Sequence, residues 1–140
     1  MSKIAIVYWS GTGNTEAMAA AVADGAKSAG AVVTLITAGE FSPSMVDAFD
    51  GIAFGCPAMG AEVLEEDEFQ PMFDSCESKL SGKPIALFGS YGWGDGEWMR
   101  TWEETCQGLG AKLVYDSVIC QETPDDEAVE SCRKLGAALI

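Results

Sequence analysis

The sequence predicts an α/β fold, a doubly wound five-stranded parallel sheet with helices on both faces, and three observations point to it. Apolar, β-prone runs alternate along the chain with segments of helical periodicity. Those runs are continuously apolar, the pattern of strands covered on both faces in a parallel sheet. The length of 140 residues suits one domain, and no linker, repeat or low-complexity tract divides it. A single domain over residues 1–140 is therefore expected.

The strands are expected at residues 4–9, 32–36, 52–54, 85–88 and 113–120. Helical faces lie between and after them. Met18, Ala21, Val22 and Gly25 recur at i, i+3, i+4 and i+7, as do Phe69, Met72, Phe73 and Cys76. Trp98, Trp102, Cys106 and Leu109 line a further face, and Ala128, Cys132, Leu135 and Leu139 another. Ser42-Pro43 and Thr123-Pro124-Asp125 each set a capping hydroxyl before a first-turn proline.

Composition excludes several functions. Eight Lys+Arg stand against 22 Asp+Glu, a net charge of −14, so neutralising the phosphates of a duplex is not this chain's task, and no nucleic-acid partner is expected. With no histidine, Ser-His and Cys-His nucleophiles and His-ligated metals are excluded. The five cysteines are scattered without a C-x-x-C, which argues against a cluster or dithiol and for buried thiols in a reducing compartment. No apolar run approaches the roughly 20 residues that span a bilayer, and the N-terminus is not a convincing signal peptide. A cytoplasmic protein without membrane insertion is expected.

In such sheets ligands bind beyond the carboxyl ends of the strands. The first of these loops is Ser10-Gly11-Thr12-Gly13-Asn14-Thr15, with a helix beginning directly after it. Its glycines allow close backbone approach, its hydroxyls and amide supply donors, and the helix N-terminus adds N–H groups and a positive dipole end. It has neither the Lys of a nucleotide-triphosphate loop nor the third glycine of G-x-G-x-x-G, a place held by Glu16. A terminal phosphate held without cations fits it. Two further loops, Gly55-Cys56-Pro57-Ala58-Met59-Gly60-Ala61-Glu62 and Gly89-Ser90-Tyr91-Gly92-Trp93-Gly94, converge on the same edge. Tyr91 and Trp93 lie among glycines and off any periodic apolar face, as expected for stacking on a planar ligand, with Met59 against its other side. A phosphate cradle beside an aromatic slot describes a site for flavin mononucleotide (FMN).

These three motifs resemble those of the flavodoxins, specifically the short-chain type, over the whole chain. The resemblance implies a flavodoxin-like strand order of 2-1-3-4-5, noncovalent FMN and one-electron transfer between redox proteins. It assigns Ser10, Gly11, Thr12, Gly13, Asn14 and Thr15 to the phosphate. Met59 and Trp93 are expected to flank the ring, and Glu62 to accept from flavin N3–H. Ala61 and Gly92 are expected to offer backbone contacts. Pro57, Ala58, Gly60, Ser90, Tyr91 and Gly94 complete the loops, and Gln121 is a further candidate near the ribityl chain. Pro57 and Ala61 stand where relatives often carry polar residues. The expected function is that of a low-potential electron carrier working as a monomer.

Rival readings lack their residues. A response-regulator receiver needs aspartates where this chain has Trp9-Ser10 and Cys56-Pro57, and a low-molecular-weight phosphatase needs Cys-x5-Arg in the first loop. An FMN-dependent NAD(P)H:quinone reductase is the enzyme alternative, and it commonly uses basic residues that are scarce here. The acids Glu62, Glu65, Glu66, Asp67 and Glu68, with Asp95 and Glu97 near Trp93, read partly as a solubilising surface. They also read as a rim steering basic docking patches on reductases or on ferredoxin-type donors and acceptors.

Overall fold

A computed structural model describes residues 2–11, 13–59, 63–92 and 94–140. Strands β1 (Lys3–Tyr8), β2 (Val32–Thr37), β3 (Gly51–Gly55) and β4 (Pro84–Tyr91) pair in parallel, and β5 (Lys112–Leu113) and β6 (Val118–Gln121) both pair with β4. The order is β2-β1-β3-β4-β5, with β6 continuing along the same edge of β4 as β5. Helices α1 (Asn14–Ser28), α2 (Pro43–Val46), α3 (Phe69–Cys76), α4 (Glu97–Gly108) and α5 (Asp126–Ala138) connect or follow them.

The alternation of side chains along each strand separates two cores. Ile4 and Ile6 of β1 join Ala53, Ala86 and Phe88 beneath Met18 and Val22 of α1 and Cys132 and Leu135 of α5. Ala5 and Val7 point the other way, joining Ile52, Phe54, Ile85 and Leu87 against Phe69 and Phe73 of α3 and Trp98 and Trp102 of α4. Phe73 meets Phe54 edge to face at 5.2 Å, and Trp102 meets Phe69 likewise at 5.4 Å. On the first face, Gly25 and Gly136 let α1 and α5 touch backbone to backbone. A methyl group at either would strike the facing carbonyl, of Arg133 or of Val22. Gly25 thus belongs to the apolar face for steric reasons.

Four sequence expectations are corrected. β2 is an edge strand, and Val32 and Leu35 are exposed rather than covered on both faces. The fifth strand is not continuous over 113–120. β4 advances three residues between partners Ile85 and Phe88 while the neighbouring chain advances five, from Leu113 to Val118, so residues 114–117 bulge out of register. Ser42 precedes a single turn and makes no side-chain cap. At α5 the cap is Asp125, whose carboxylate accepts from Ala128 N–H at 2.8 Å, and Thr123 is released for another contact.

All five cysteines are free, and four are buried; Cys120 is half-buried. Burial pushes the Cys56, Cys106 and Cys132 thiols up to about 12 and that of Cys120 to about 11. They remain protonated and unreactive at neutral pH. Among the described residues no cluster could hold a metal, and no helix is long and apolar enough to cross a membrane.

Candidate functional site

The carboxyl ends of β1, β3, β4 and β6 bring four loops together by main-chain bonds that outrun the strands. Trp9 N–H donates to the Gly55 carbonyl at 3.0 Å, Ala58 N–H to Ser90 at 3.0 Å, and Glu122 N–H to Tyr91 at 2.8 Å. Side chains close the ring. Gln121 Nε2 donates to the Gly92 carbonyl at 3.3 Å, and Thr123 Oγ1 to Asn14 Oδ1 at 3.4 Å.

Between these loops lies a cavity of about 430 Å³. The first loop contributes Trp9, Gly11 and Asn14, the second Pro57, Ala58 and Met59, the third Ser90, Tyr91 and Gly92, and the last Glu122 and Thr123. Its size suits a cofactor-sized ligand. Among the described residues its lining holds no Lys or Arg, and its one charged side chain is Glu122. A larger concavity of about 570 Å³ runs along β6, but Asp116, Asp125 and Glu127 line it, the wrong sign for a phosphate.

At one end of the cavity α1 begins without a side-chain cap on its N-cap residue, Gly13, which sits at φ +94°. In that left-handed region a side chain would be strained. Ser10 Oγ accepts from the N–H groups of Gly13 at 3.1 Å and Glu16 at 3.3 Å, which leaves its own hydroxyl proton to donate. The first-turn N–H groups of Asn14 and Thr15 have no partner among the described residues. A helix N-terminus with unpaired donors is an anion site, so the residues present fit a phosphate group. The Thr15 hydroxyl is committed elsewhere, to a buried 3.2 Å bond with Ser90 Oγ that ties α1 to β4.

At the other end Met59 and Val63 bond mutually, N–H to carbonyl, at 2.8 and 3.0 Å, forming the base of a small hairpin. Met59 is 36% exposed, so it is not core filler. Tyr91 ends β4, and its ring rests on Trp98 at 5.5 Å and 51° while also lining the cavity. It is therefore partly a packing residue, contrary to the expectation drawn from its glycine neighbours.

The acidic stretch divides on inspection. Glu65 is buried: its carboxylate accepts from the N–H groups of Asp67, Glu68 and Phe69, each at 2.8 Å, at the start of α3. Burial works to raise its pKa, but these three donors outweigh it and hold the carboxyl below its usual value. Glu65 is thus a structural cap and not part of a solvated rim. Asp95 also departs from a free rim charge, since Arg100 Nη2 donates to it at 2.9 Å and lowers its pKa. Glu66, Asp67 and Glu68 remain exposed.

Of the expected site residues, Gly11, Asn14, Pro57, Ala58, Met59, Ser90, Tyr91 and Gly92 meet at the cavity. Ser10, Gly13 and Thr15 build the loop behind it, and neither Gly94 nor Gln121 lines it. Thr12, Gly60, Ala61, Glu62 and Trp93 lie outside the described residues. Three lining residues were not expected. Trp9 directly precedes the first loop, whereas Glu122 and Thr123 follow the last strand, whose end the split of β5 from β6 obscures in the sequence.

Comparison with known proteins agrees with this architecture. The family model described as Flavodoxin matches residues 6–136. The chain is similar to the flavodoxin of Clostridium beijerinckii, with 48% identity over 131 residues and 94% of each chain covered. It is similar to that of Megasphaera elsdenii, with 44% identity over 135 residues and 96% of each covered. The solution structure of two-electron reduced Megasphaera elsdenii flavodoxin matches it with a TM-score of 0.90 over 97% of both chains. With its sheet order, its loops and these relatives in agreement, the chain belongs to the flavodoxin family.

Proposed function

We propose that the 430 Å³ cavity holds FMN with its phosphate at the N-terminus of α1 and its ring between the second and third loops. Family membership makes the chain an FMN-binding electron carrier and not an enzyme with a substrate of its own. The observation that carries the placement is the first turn of α1, whose Asn14 and Thr15 N–H groups open on a cavity with no cationic side chain among its described lining residues. Bound FMN supplies a planar ring that takes up and releases electrons one at a time.

The chain's residues have distinct tasks. Asn14 and Thr15 N–H groups and the Ser10 hydroxyl bind the phosphate, with Gly11, Thr12 and Gly13 shaping the cradle. Ala58, Gly92 and Tyr91 bound the ring, with Pro57, Ser90 and Gly94 holding the loop backbones in place. Met59 and Trp93 cover its faces, Gly60 and Ala61 offer it backbone contacts, and Glu62 accepts from the flavin N3–H. Gln121 acts from behind, by holding the Gly92 carbonyl.

The negative surroundings support a low potential, because each added electron enters a site with no neighbouring cation among the lining residues. Redox proteins are the partners. The acidic rim, chiefly Glu66, Asp67 and Glu68, suits basic docking patches on reductases and on ferredoxin-type donors or acceptors. The protein acts as a cytoplasmic monomer of one domain. Titration of apoprotein with FMN and with riboflavin tests the placement. FMN should bind one per chain and far more tightly, since each charge-assisted hydrogen bond to the phosphate contributes roughly 1.5–3 kcal/mol. Equal affinity for both flavins would refute it.

A further inference from the structure

Trp9 joins the two ends of the site. Its ring lines the cavity and lies directly against Gly11 of the phosphate loop. A methyl group on Gly11 would come within 3.0 Å of Trp9 Cη2 and 3.2 Å of Cζ3. The indole Nε1–H donates to Glu68 Oε1 at 3.1 Å, 59 residues further along the chain. Glu68 is held at both ends. Its N–H donates to Glu65 Oε1 at 2.8 Å, and Glu65 N–H in turn reaches Cys56 Sγ at 3.3 Å, at the foot of the second loop. Its other carboxylate oxygen lies against Gly39, where a Cβ would approach to 2.8 Å. A carboxylate seated between an indole N–H and a bare glycine Cα is positioned, although it belongs to an exposed acidic run.

We propose that Glu68 is a positioning residue for the phosphate loop: through Trp9 it holds Gly11 and its neighbours in register with the loop that carries Met59. The inference rests on the reading of the cavity as the FMN site. Glu68 touches no part of the ligand itself. It acts through the Trp9 indole, and what it contributes is a hydrogen bond, which an amide oxygen can also accept, and not its charge.

Binding of FMN and of riboflavin to apoprotein, with the thermal midpoint of each apoprotein, provides the test. Glu68→Ala should weaken FMN binding roughly tenfold while riboflavin, which has no phosphate to place, binds as before. Trp9→Phe removes the donor together with the ring atoms that face Gly11, and should weaken FMN binding at least as much. The double variant should be little worse than Trp9→Phe alone, because the bond that Glu68→Ala removes is already lost there. Glu68→Gln should retain FMN affinity within about twofold, and so should the charge control Glu66→Gln. Parallel loss of both flavins in Glu68→Ala and Trp9→Phe would mean general loosening and overturn the proposal. So would unchanged FMN affinity in both, or a Glu68→Gln as weak as Glu68→Ala. A wild-type protein without preference for FMN would instead overturn the underlying site reading, and is seen before any variant is made.

Discussion

The two ends of the cavity are built by opposite means. The phosphate end is made of backbone: glycines, one hydroxyl and a first helical turn with open N–H groups, with no Lys or Arg among the described lining residues. The ring end is made of side chains anchored by a buried acid, with exposed acids outside it. The phosphate charge is constant through the work of a carrier, and fixed dipoles hold a constant charge without reorganising. The ring gains a charge in the second one-electron step, and there the surrounding carboxylates set the energy of the change.

The sharpest way to break this division is to place a negative charge at the helix N-terminus itself. Asn14→Asp puts a carboxylate in the cavity at the first residue of α1. FMN affinity should fall roughly a hundredfold by repulsion of the phosphate, with riboflavin affinity nearly unchanged. The apoprotein should unfold no more easily, since an acid in a first helical turn is favourable. Calorimetric titration with both flavins checks it; similar losses for the two would deny that this end is reserved for phosphate.

At the ring end the corresponding weak point is Glu65. Glu65→Ala strips three N–H groups of their acceptor and should cost roughly 2 kcal/mol in urea unfolding of the apoprotein. The folded-state pKa of Glu65 lies below its ordinary value of 4.5. Its stabilisation is therefore complete above the unfolded value and is lost as pH falls through the folded one. The stability difference between wild type and Glu65→Gln should accordingly be constant near neutrality and shrink below about pH 4.5. A difference independent of pH down to acid unfolding would show that the carboxylate charge plays no part in the cap.

The same contrast governs how much could be read from the sequence. β1, β3 and β4 are legible because central strands must be apolar on both faces, and the loop 10–15 because close anion approach needs glycines and hydroxyls. The helical faces are legible for the same local reason, down to Gly25. What escaped depends on distant partners. The exposure of Val32 and Leu35 follows from β2 lying at the edge, which no local pattern states. The interruption of the fifth strand is a register mismatch against β4, visible only when Ile85 and Phe88 are paired with Leu113 and Val118. Thr123 looks like a helix cap until the fold brings it to Asn14, 109 residues away. Glu65 looks like one acid in a run of acids until the chain turns its own N–H groups toward it.

The smallest expected effect separates the exposed acids from the buried one. At about 12 Å and an effective dielectric of about 50, one carboxylate repels one added negative charge by roughly 0.5 kcal/mol, or roughly 20–25 mV in a one-electron couple. Neutralising Glu66 and Asp67 together to their amides should thus raise the potential of the second one-electron step by a few tens of millivolts. The first step should move less, because its electron arrives with a proton and leaves the ring neutral. Glu65 must be left in place, since its loss would mix unfolding with electrostatics. Exposed charges are screened over about 10 Å at 0.1 M salt, so the shift should be largest at low ionic strength and fade as salt is added. Spectroelectrochemical titration of wild type and the double variant at two salt concentrations measures both couples. Equal shifts in the two steps, or a shift indifferent to salt, would mean that these acids act by changing the hairpin and not through their field.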